Sequence, residues 1–185
     1  MTTQTEPRHA VVPAPAFAVA DTEPAGRPRA TLPKEFLSFR LGAEEYGIDI
    51  LRVQEIRNYA APTRIANAPD FIKGVINLRG TIVPVVDLRL KLVGGEAVYD
   101  DFTVVIVLNV HDRVIGAVVD SVSDVLALPE GSIKPPPALS AAAVDVSYIT
   151  GVACIPGEER ERMLILADIE ALLGSAEMGL LGAAH

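Results

Sequence analysis

Val75-Ile76-Asn77-Leu78-Arg79-Gly80-Thr81-Ile82-Val83-Pro84-Val85-Val86-Asp87 is the stretch that decides the fold class. Two apolar runs flank one Arg-Gly pair, which is the spacing of a β-hairpin with glycine in its turn. Pro84 has no N–H to give to a ladder, so its strand is expected at a sheet edge or beside a bulge. Just upstream, Pro69-Asp70-Phe71-Ile72 reads as a single helical turn opened by proline and stopped by Gly74.

Outward from this hairpin the chain is written in strands. Apolar residues at 37, 39 and 41 alternate as in a half-buried strand, Gly42 to Glu45 turns, and Tyr46 to Ile50 returns. Val53 and Ile56 are three apart, which fits either one helical turn or a bent strand. Phe102 to Val110 contains an unbroken apolar run from Val104 to Leu108, the mark of a strand buried on both faces. His111-Asp112-Arg113 turns, and Val114 to Asp120 returns, followed by Val122 to Leu126. After a Pro-rich loop from Pro129 to Pro137 come a strand from Tyr148 to Ile155, a charged turn and a return from Arg162 to Leu166. Asp168 to Leu173 has helical spacing, with Asp168 as N-cap and Gly174 as stop.

The halves repeat each other. Gly47-Ile48-Asp49-Ile50 with Val53-Gln54-Glu55-Ile56 falls on Gly116-Ala117-Val118-Val119 with Val122-Ser123-Asp124-Val125. Phe71-Ile72-Lys73-Gly74-Val75 falls on Tyr148-Ile149-Thr150-Gly151-Val152, and Val85-Val86-Asp87-Leu88 on Leu166-Ala167-Asp168-Ile169. This predicts two related β-units of about five short strands each. A unit of about 60 residues buries too little surface to be stable alone, so the two are expected to share apolar contacts along a seam. One continuous sandwich is the competing arrangement.

Composition bounds the function. The 185 residues are 50% hydrophobic but only 5% aromatic, with no Trp, so the core must be aliphatic. The net charge of −8 is uneven: residues 52–91 are basic, whereas 92–185 are strongly acidic. Such a dipole can steer protein partners. An acidic chain poor in aromatics is a weak nucleic-acid binder, although a small barrel using the basic 52–91 stretch stays open as an alternative. Cys154 is the single cysteine, which excludes an internal disulfide and fits a reducing compartment. Six prolines in residues 1–33 predict a disordered Pro/Ala-rich arm, and a loose likeness to a secretory signal is broken by Pro13 and Pro15. No apolar run approaches the roughly 20 residues of a membrane span.

No chemistry assembles. His9, His111 and His185 are scattered, so neither a base-activated nucleophile nor a metal-ligand spacing is present. No Gly-rich phosphate loop occurs, and no cofactor is expected. The adjacent acids Glu44-Glu45, Asp100-Asp101 and Glu158-Glu159 read as solvated turn charge. A binding module fits better than an enzyme.

Several runs then closely resemble the bacterial chemotaxis coupling proteins of the CheW family: Glu44-Glu45-Tyr46-Gly47-Ile48-Asp49-Ile50, Val53-Gln54-Glu55-Ile56-Arg57, Thr63-Arg64-Ile65-Ala66-Asn67, Phe71-Ile72-Lys73-Gly74-Val75, Asn77-Leu78-Arg79-Gly80 with the Pro84 strand, and Val122-Ser123-Asp124-Val125-Leu126. The likeness covers about Lys34 to the C-terminus. It implies a mostly β fold of two SH3-like five-stranded barrels with a short C-terminal helix and a hydrophobic groove between the barrels. The expected CheW-like body is 34–176, with subdomains at about 35–94 and 98–174 and a tail at 177–185.

The resemblance also implies a non-enzymatic adaptor that ties the cytoplasmic tips of chemoreceptors to the regulatory domain of the histidine kinase CheA. Such an adaptor is cytoplasmic, is recruited to membrane-associated receptor arrays without inserting in the membrane, and can self-associate in array rings. A scaffold of a non-flagellar chemosensory pathway is the alternative. Arg79 falls on the family's receptor-contact arginine and Glu55 on its acidic neighbour. Val53, Val104, Val105, Ile115, Val122 and Val125 fall on positions associated with receptor binding, for which core packing is the competing role. Pro62, Thr63, Ile65 and Gly74 lie where the family meets the kinase, and turn formation alone would also explain the Pro and the Gly.

Overall fold

The structure, a computed structural model, describes residues 31–138 and 146–174. Most of the expected arm and the whole tail at 177–185 lie outside the described residues. The hairpin β1 (Lys34–Leu41) and β2 (Glu44–Asp49) runs through a 3-10 turn, Ile50–Arg52, into β3 (Val53–Asn58). The structure thus combines the two readings of this segment, a single tight turn followed by a strand. Next come β4 (Ile72–Leu78), β5 (Thr81–Asp87) and α1 (Leu88–Leu92). The second half supplies β6 (Val104–Val110), β7 (Arg113–Val119), β8 (Ser121–Leu128), β9 (Ile133–Lys134), β10 (Ile149–Ile155), β11 (Arg162–Ala167) and α2 (Ile169–Leu173). The loop expected from Pro129 to Pro137 therefore contains a 3-10 turn, Glu130–Ser132, and the two-residue β9.

The strands form two sheets, in the orders β3-β6-β7-β5-β4 and β8-β1-β2-β11-β10-β9. These orders are the same when the halves are superposed as the sequence repeat dictates. Gly116 lies beside Val85 in a parallel ladder, and Gly47 lies beside Leu166 in another. Register shifts fall at Ile72/Gly74 and at Ile149/Gly151. Asp87 N–H donates to Phe71 C=O and Asp168 N–H to Tyr148 C=O, both at 2.7 Å. Asp87 and Asp168 each cap the helix that follows. The sequence repeat is thus a repeat of structure, down to single hydrogen bonds.

The boundaries of the two units need correction. β6 and β7 of the second half pair with β3 and β5 of the first, whereas β1 and β2 of the first pair with β8 and β11 of the second. Each half has exchanged its first hairpin. A division into about 35–94 and 98–174 therefore cuts through both sheets. The core follows the exchange: Leu37, Phe39 and Ile48 of one sheet pack with Ile106, Leu108 and Ile115 of the other in a single buried cluster. Burying each such side chain contributes about 1.5–3 kcal/mol, so neither sheet keeps its core without the other.

Each sheet also curls shut. Thr63, beyond the end of β3, exchanges two backbone hydrogen bonds of 2.9 Å with Val75 of β4, the opposite end of the sheet. In the other sheet β9 pairs with β10 at the matching place, Lys134 opposite Val152.

One local expectation is overturned, and of the two alternatives for Pro84 the structure takes the irregular ladder over the edge, the β4–β5 register shifting at Ile72/Gly74 beside it. Residues 69–72 form a plain turn, with Ile72 N–H on Pro69 C=O, and Gly74 lies inside β4 rather than stopping a helix. Pro84 lies in β5, which has neighbours on both sides. Val75, opposite Pro84, spends its N–H and C=O on Thr63, so β4 asks nothing of Pro84. On the other side the parallel ladder with β7 begins only at Val85. The missing N–H therefore falls where no acceptor waits.

Candidate functional site

The site begins with a strained turn. Leu78 and Thr81 close the β4–β5 ladder, leaving Arg79 and Gly80 as a two-residue loop with φ of 51° and 87°. Two left-handed residues make a type I′ turn, whose twist suits a hairpin and whose first position favours Asn, Asp or Gly. Arginine there costs on the order of 1 kcal/mol. Asn77 offsets part of this, because its Oδ1 accepts the Gly80 N–H at 2.8 Å.

The turn projects Arg79 into solvent, with its side chain 77% exposed, and Nη2 reaches Glu55 Oε2 at 2.6 Å. Glu55 stands on β3 and the turn joins β4 to β5, so the pair links opposite ends of the curled sheet. Arg57 approaches the other Glu55 oxygen at 3.7 Å. With Arg79 this open, the ion pair contributes 0 to about 1 kcal/mol to stability. Holding the guanidinium in one direction is its larger effect.

The valines divide. Val53, Val104 and Val122 are half-buried and pack on the rim of the central cluster, and Val125 is 46% exposed on β8. Val105 and Ile115, by contrast, are 3% and 1% exposed. Val105 packs with Val85 and Val118, and Ile115 belongs to the central cluster. Direct partner contact by these two is corrected to core packing, as strands buried on both faces require. Three residues not singled out from the sequence join the exposed set: Arg57, Ile56 at 44% and Ile82 at 63% exposure. The alternation around Glu55 was the signal for Ile56, and pairing with Asn77 was the signal for Ile82.

The first barrel's loop set also divides. Ile65 is 48% exposed, Pro62 is half-buried, and Thr63 is engaged through its backbone with Val75. Gly74 is buried with φ of 135°, and a Cβ there would lie 2.0 Å from Thr63 C=O. A direct partner contact for Gly74 is corrected to a close-packing role: it lets the Thr63 strand approach.

A second polar cluster was not foreseen. Asp87 is fully buried, and its Oδ1 accepts the Leu90 N–H at 3.2 Å while Oδ2 accepts the Tyr99 hydroxyl at 2.8 Å. Tyr99 stacks on Tyr59 with ring centroids 4.4 Å apart, and Lys73 and Arg89 lie over its face. Burial first, then the Asp87 hydrogen bond, pushes the Tyr99 phenol well above its ordinary value. Arg89 also forms an ion pair with Asp120 and donates to Val98 C=O at 3.0 Å. Together these contacts fasten the segment that joins the halves.

Comparison with known proteins agrees with this architecture. The family model described as the CheW-like domain matches residues 35–177. The chain belongs to the CheW-like family. A chemotaxis protein CheW of Klebsiella aerogenes is 58% identical over 150 residues, covering 81% of this chain and 87% of that protein. Protein FrzA of Myxococcus xanthus is 32% identical over 126 residues, covering 68% and 78%. The crystal structure of the scaffolding protein TtCheW from Thermoanaerobacter tengcongensis has a TM-score of 0.70 and 31% identity, covering 81% of this chain and 99% of that one. The CheW-like fold of two β-subdomains, and a family role as chemotaxis scaffold or adaptor, follow.

Proposed function

We propose that this chain couples chemoreceptors to the histidine kinase CheA as a non-enzymatic adaptor. The observation that carries this reading is Arg79, exposed, held in a strained left-handed turn and tethered to Glu55. Strain kept at a surface arginine contributes nothing to the fold and marks a functional contact. The half-buried Val53, Val104 and Val122 on the rim of the core, with exposed Val125 on β8, are the apolar positions assigned to a receptor helical hairpin. Pro62, Thr63 and Ile65 on the first barrel's loop form the surface for the kinase's regulatory domain.

The adaptor works in the cytoplasm, recruited to membrane-associated arrays, and contacts its own kind in array rings. Among the described residues no helix is long and apolar enough to cross a membrane. Nucleic acid is not a partner in this reading, because Arg52, Arg57, Arg79 and Arg89 of the basic stretch are all engaged by carboxylates. Arg79→His is expected to reduce receptor recruitment about tenfold with the thermal midpoint unchanged. A pull-down with receptor fragments reads the first and a melting curve the second. Normal recruitment by this variant would remove Arg79 from the interface, and kinase activity unchanged by the chain in a receptor–CheA mixture would end the coupling reading.

A further inference from the structure

The chain passes from one sheet to the other at two equivalent places, and a valine assigned to the receptor follows each. At the first, the 3-10 turn Ile50–Arg52 joins β2 to β3, and Val53 opens β3. At the second, Asp120 joins β7 to β8, and Val122 is the second residue of β8. Val53 stands opposite Leu108 and Val122 opposite Phe39, the same register in the two copies of the repeat. Both valines are half-buried against the central cluster.

Ladder pairing alone does not aim these two side chains. The β3–β6 register shifts between Val53 and Glu55. The β1–β8 register shifts at the matching place, where Phe39 faces Val122 and Ser38 faces Asp124. A bulge lets its strand bend and re-aims the side chains beside it. The direction of each valine therefore depends on how the chain is held just before it.

An ion pair holds it at both places. Arg52 Nη1 and Nη2 lie 2.9 and 3.0 Å from the two carboxylate oxygens of Glu170, the second residue of α2. Arg89, the second residue of α1 and the counterpart of Glu170 in the repeat, pairs with Asp120. The other Asp120 oxygen accepts the Gly42 N–H at 2.7 Å, and the Asp120 N–H donates to Arg40 C=O at 3.1 Å. In one copy the helix supplies the acid and the crossover supplies the arginine. In the other copy the signs are reversed. The same bond is thus made twice, by different residues, at the same step of the chain. Pairs this open to solvent add little to stability, whereas a two-pronged arginine contact fixes direction.

We infer, on the adaptor reading given above, that Arg52–Glu170 and Asp120–Arg89 are a matched pair of clamps that position Val53 and Val122 for the receptor. The four charged residues act through the valines and are positioning residues.

The test titrates the full chain with receptor fragments and records a melting curve and a methyl NMR spectrum for each variant. Arg52→Gln removes the first clamp, and Asp120→Asn removes the second while keeping an oxygen for the Gly42 N–H. Each is expected to weaken recruitment about three- to fivefold. The methyl resonances of Val53 should move in the first variant and those of Val122 in the second. The double exchange Arg52→Glu with Glu170→Arg should return recruitment to within about twofold of the unsubstituted chain. Ile155→Val, which truncates a buried residue of the separate second-barrel cluster, should lower the melting midpoint and leave recruitment unchanged. Normal recruitment by either clamp variant, an exchange that restores nothing, or an equal loss in Ile155→Val would overturn the clamps alone. Failure of the unsubstituted chain to be recruited would overturn the adaptor reading and the clamps with it.

Discussion

The hairpins β4–β5 and β10–β11 occupy the same place in the two copies of the repeat and have become different devices. The first turns in two residues, Arg79 and Gly80, and sends a guanidinium across the barrel to Glu55. The second is joined by the longer, acid-rich segment from Pro156 to Glu161, and its Arg162 folds back on the nearly buried Glu45 at 3.3 Å. Asp124, the counterpart of Glu55, has its carboxylate on the N–H of its own neighbour Val125. The scaffold is thus duplicated, whereas the exposed arginine is not. In the proposed reading, the arginine's receptor contact belongs to the copy with the shorter turn.

Equivalent glycines provide the largest test of this contrast. Gly74→Ala meets backbone at 2.0 Å with φ of 135°, whereas at Gly151 the nearest atom is a side-chain methyl of Ile133 at 2.7 Å. Urea unfolding is expected to show a loss of about 4 kcal/mol for the first and about 2 for the second, because a side chain moves aside and a paired strand does not. Equal losses would mean that the two closures are equally tight.

Tyr99→Phe removes the donor from the fully buried Asp87 and is expected to cost about 2 kcal/mol, again by urea unfolding. At the equivalent end of the second barrel, Leu128→Met should change stability by less than about 1 kcal/mol. A smaller comparison uses pH. Burial first, then the charges of Tyr148 and Glu44, push the Tyr46 phenol from its ordinary 10.0 up to about 12. The folded state thus holds that proton more tightly than the unfolded chain. Its contribution is complete below pH 10 and is lost as the pH rises towards 12. The urea midpoint should fall across that window, and Tyr46→Phe should remove part of the fall. The smallest effect is a gain: Arg79→Asn relieves the left-handed strain and should raise stability by about 0.5 kcal/mol while receptor recruitment is lost. Unchanged or lower stability would show that the turn is not strained.

Much of the architecture was written locally. Alternating residues at 37, 39 and 41, the run from Val104 to Leu108 and the Arg79-Gly80 pair specify strands and turns through side-chain period and backbone sterics, and the structure follows them. Asp168 and Gly174 bound their helix as capping chemistry requires. The helix after Asp87 went unread, although its counterpart after Asp168 was recognised. At the site, Arg79 and Glu55 were legible because a charged residue in a turn and another in a strand are both conspicuous. The burial of Val105 and Ile115 was not, since a valine reads the same whether it faces a partner or a core. Gly74 was mistaken for a stop because glycine signals both a chain end and a close approach.

The repeat itself and the strand grammar were fixed by the order of residues alone, because each depends on neighbours in the chain. The exchange of first hairpins, the single core shared by both sheets and the bond of Tyr99 to the buried Asp87 were decided only in three dimensions. Identical strand patterns pair equally well within a half or across halves. The choice between them falls to apolar burial and loop closure summed over the whole molecule, which no local window of sequence contains.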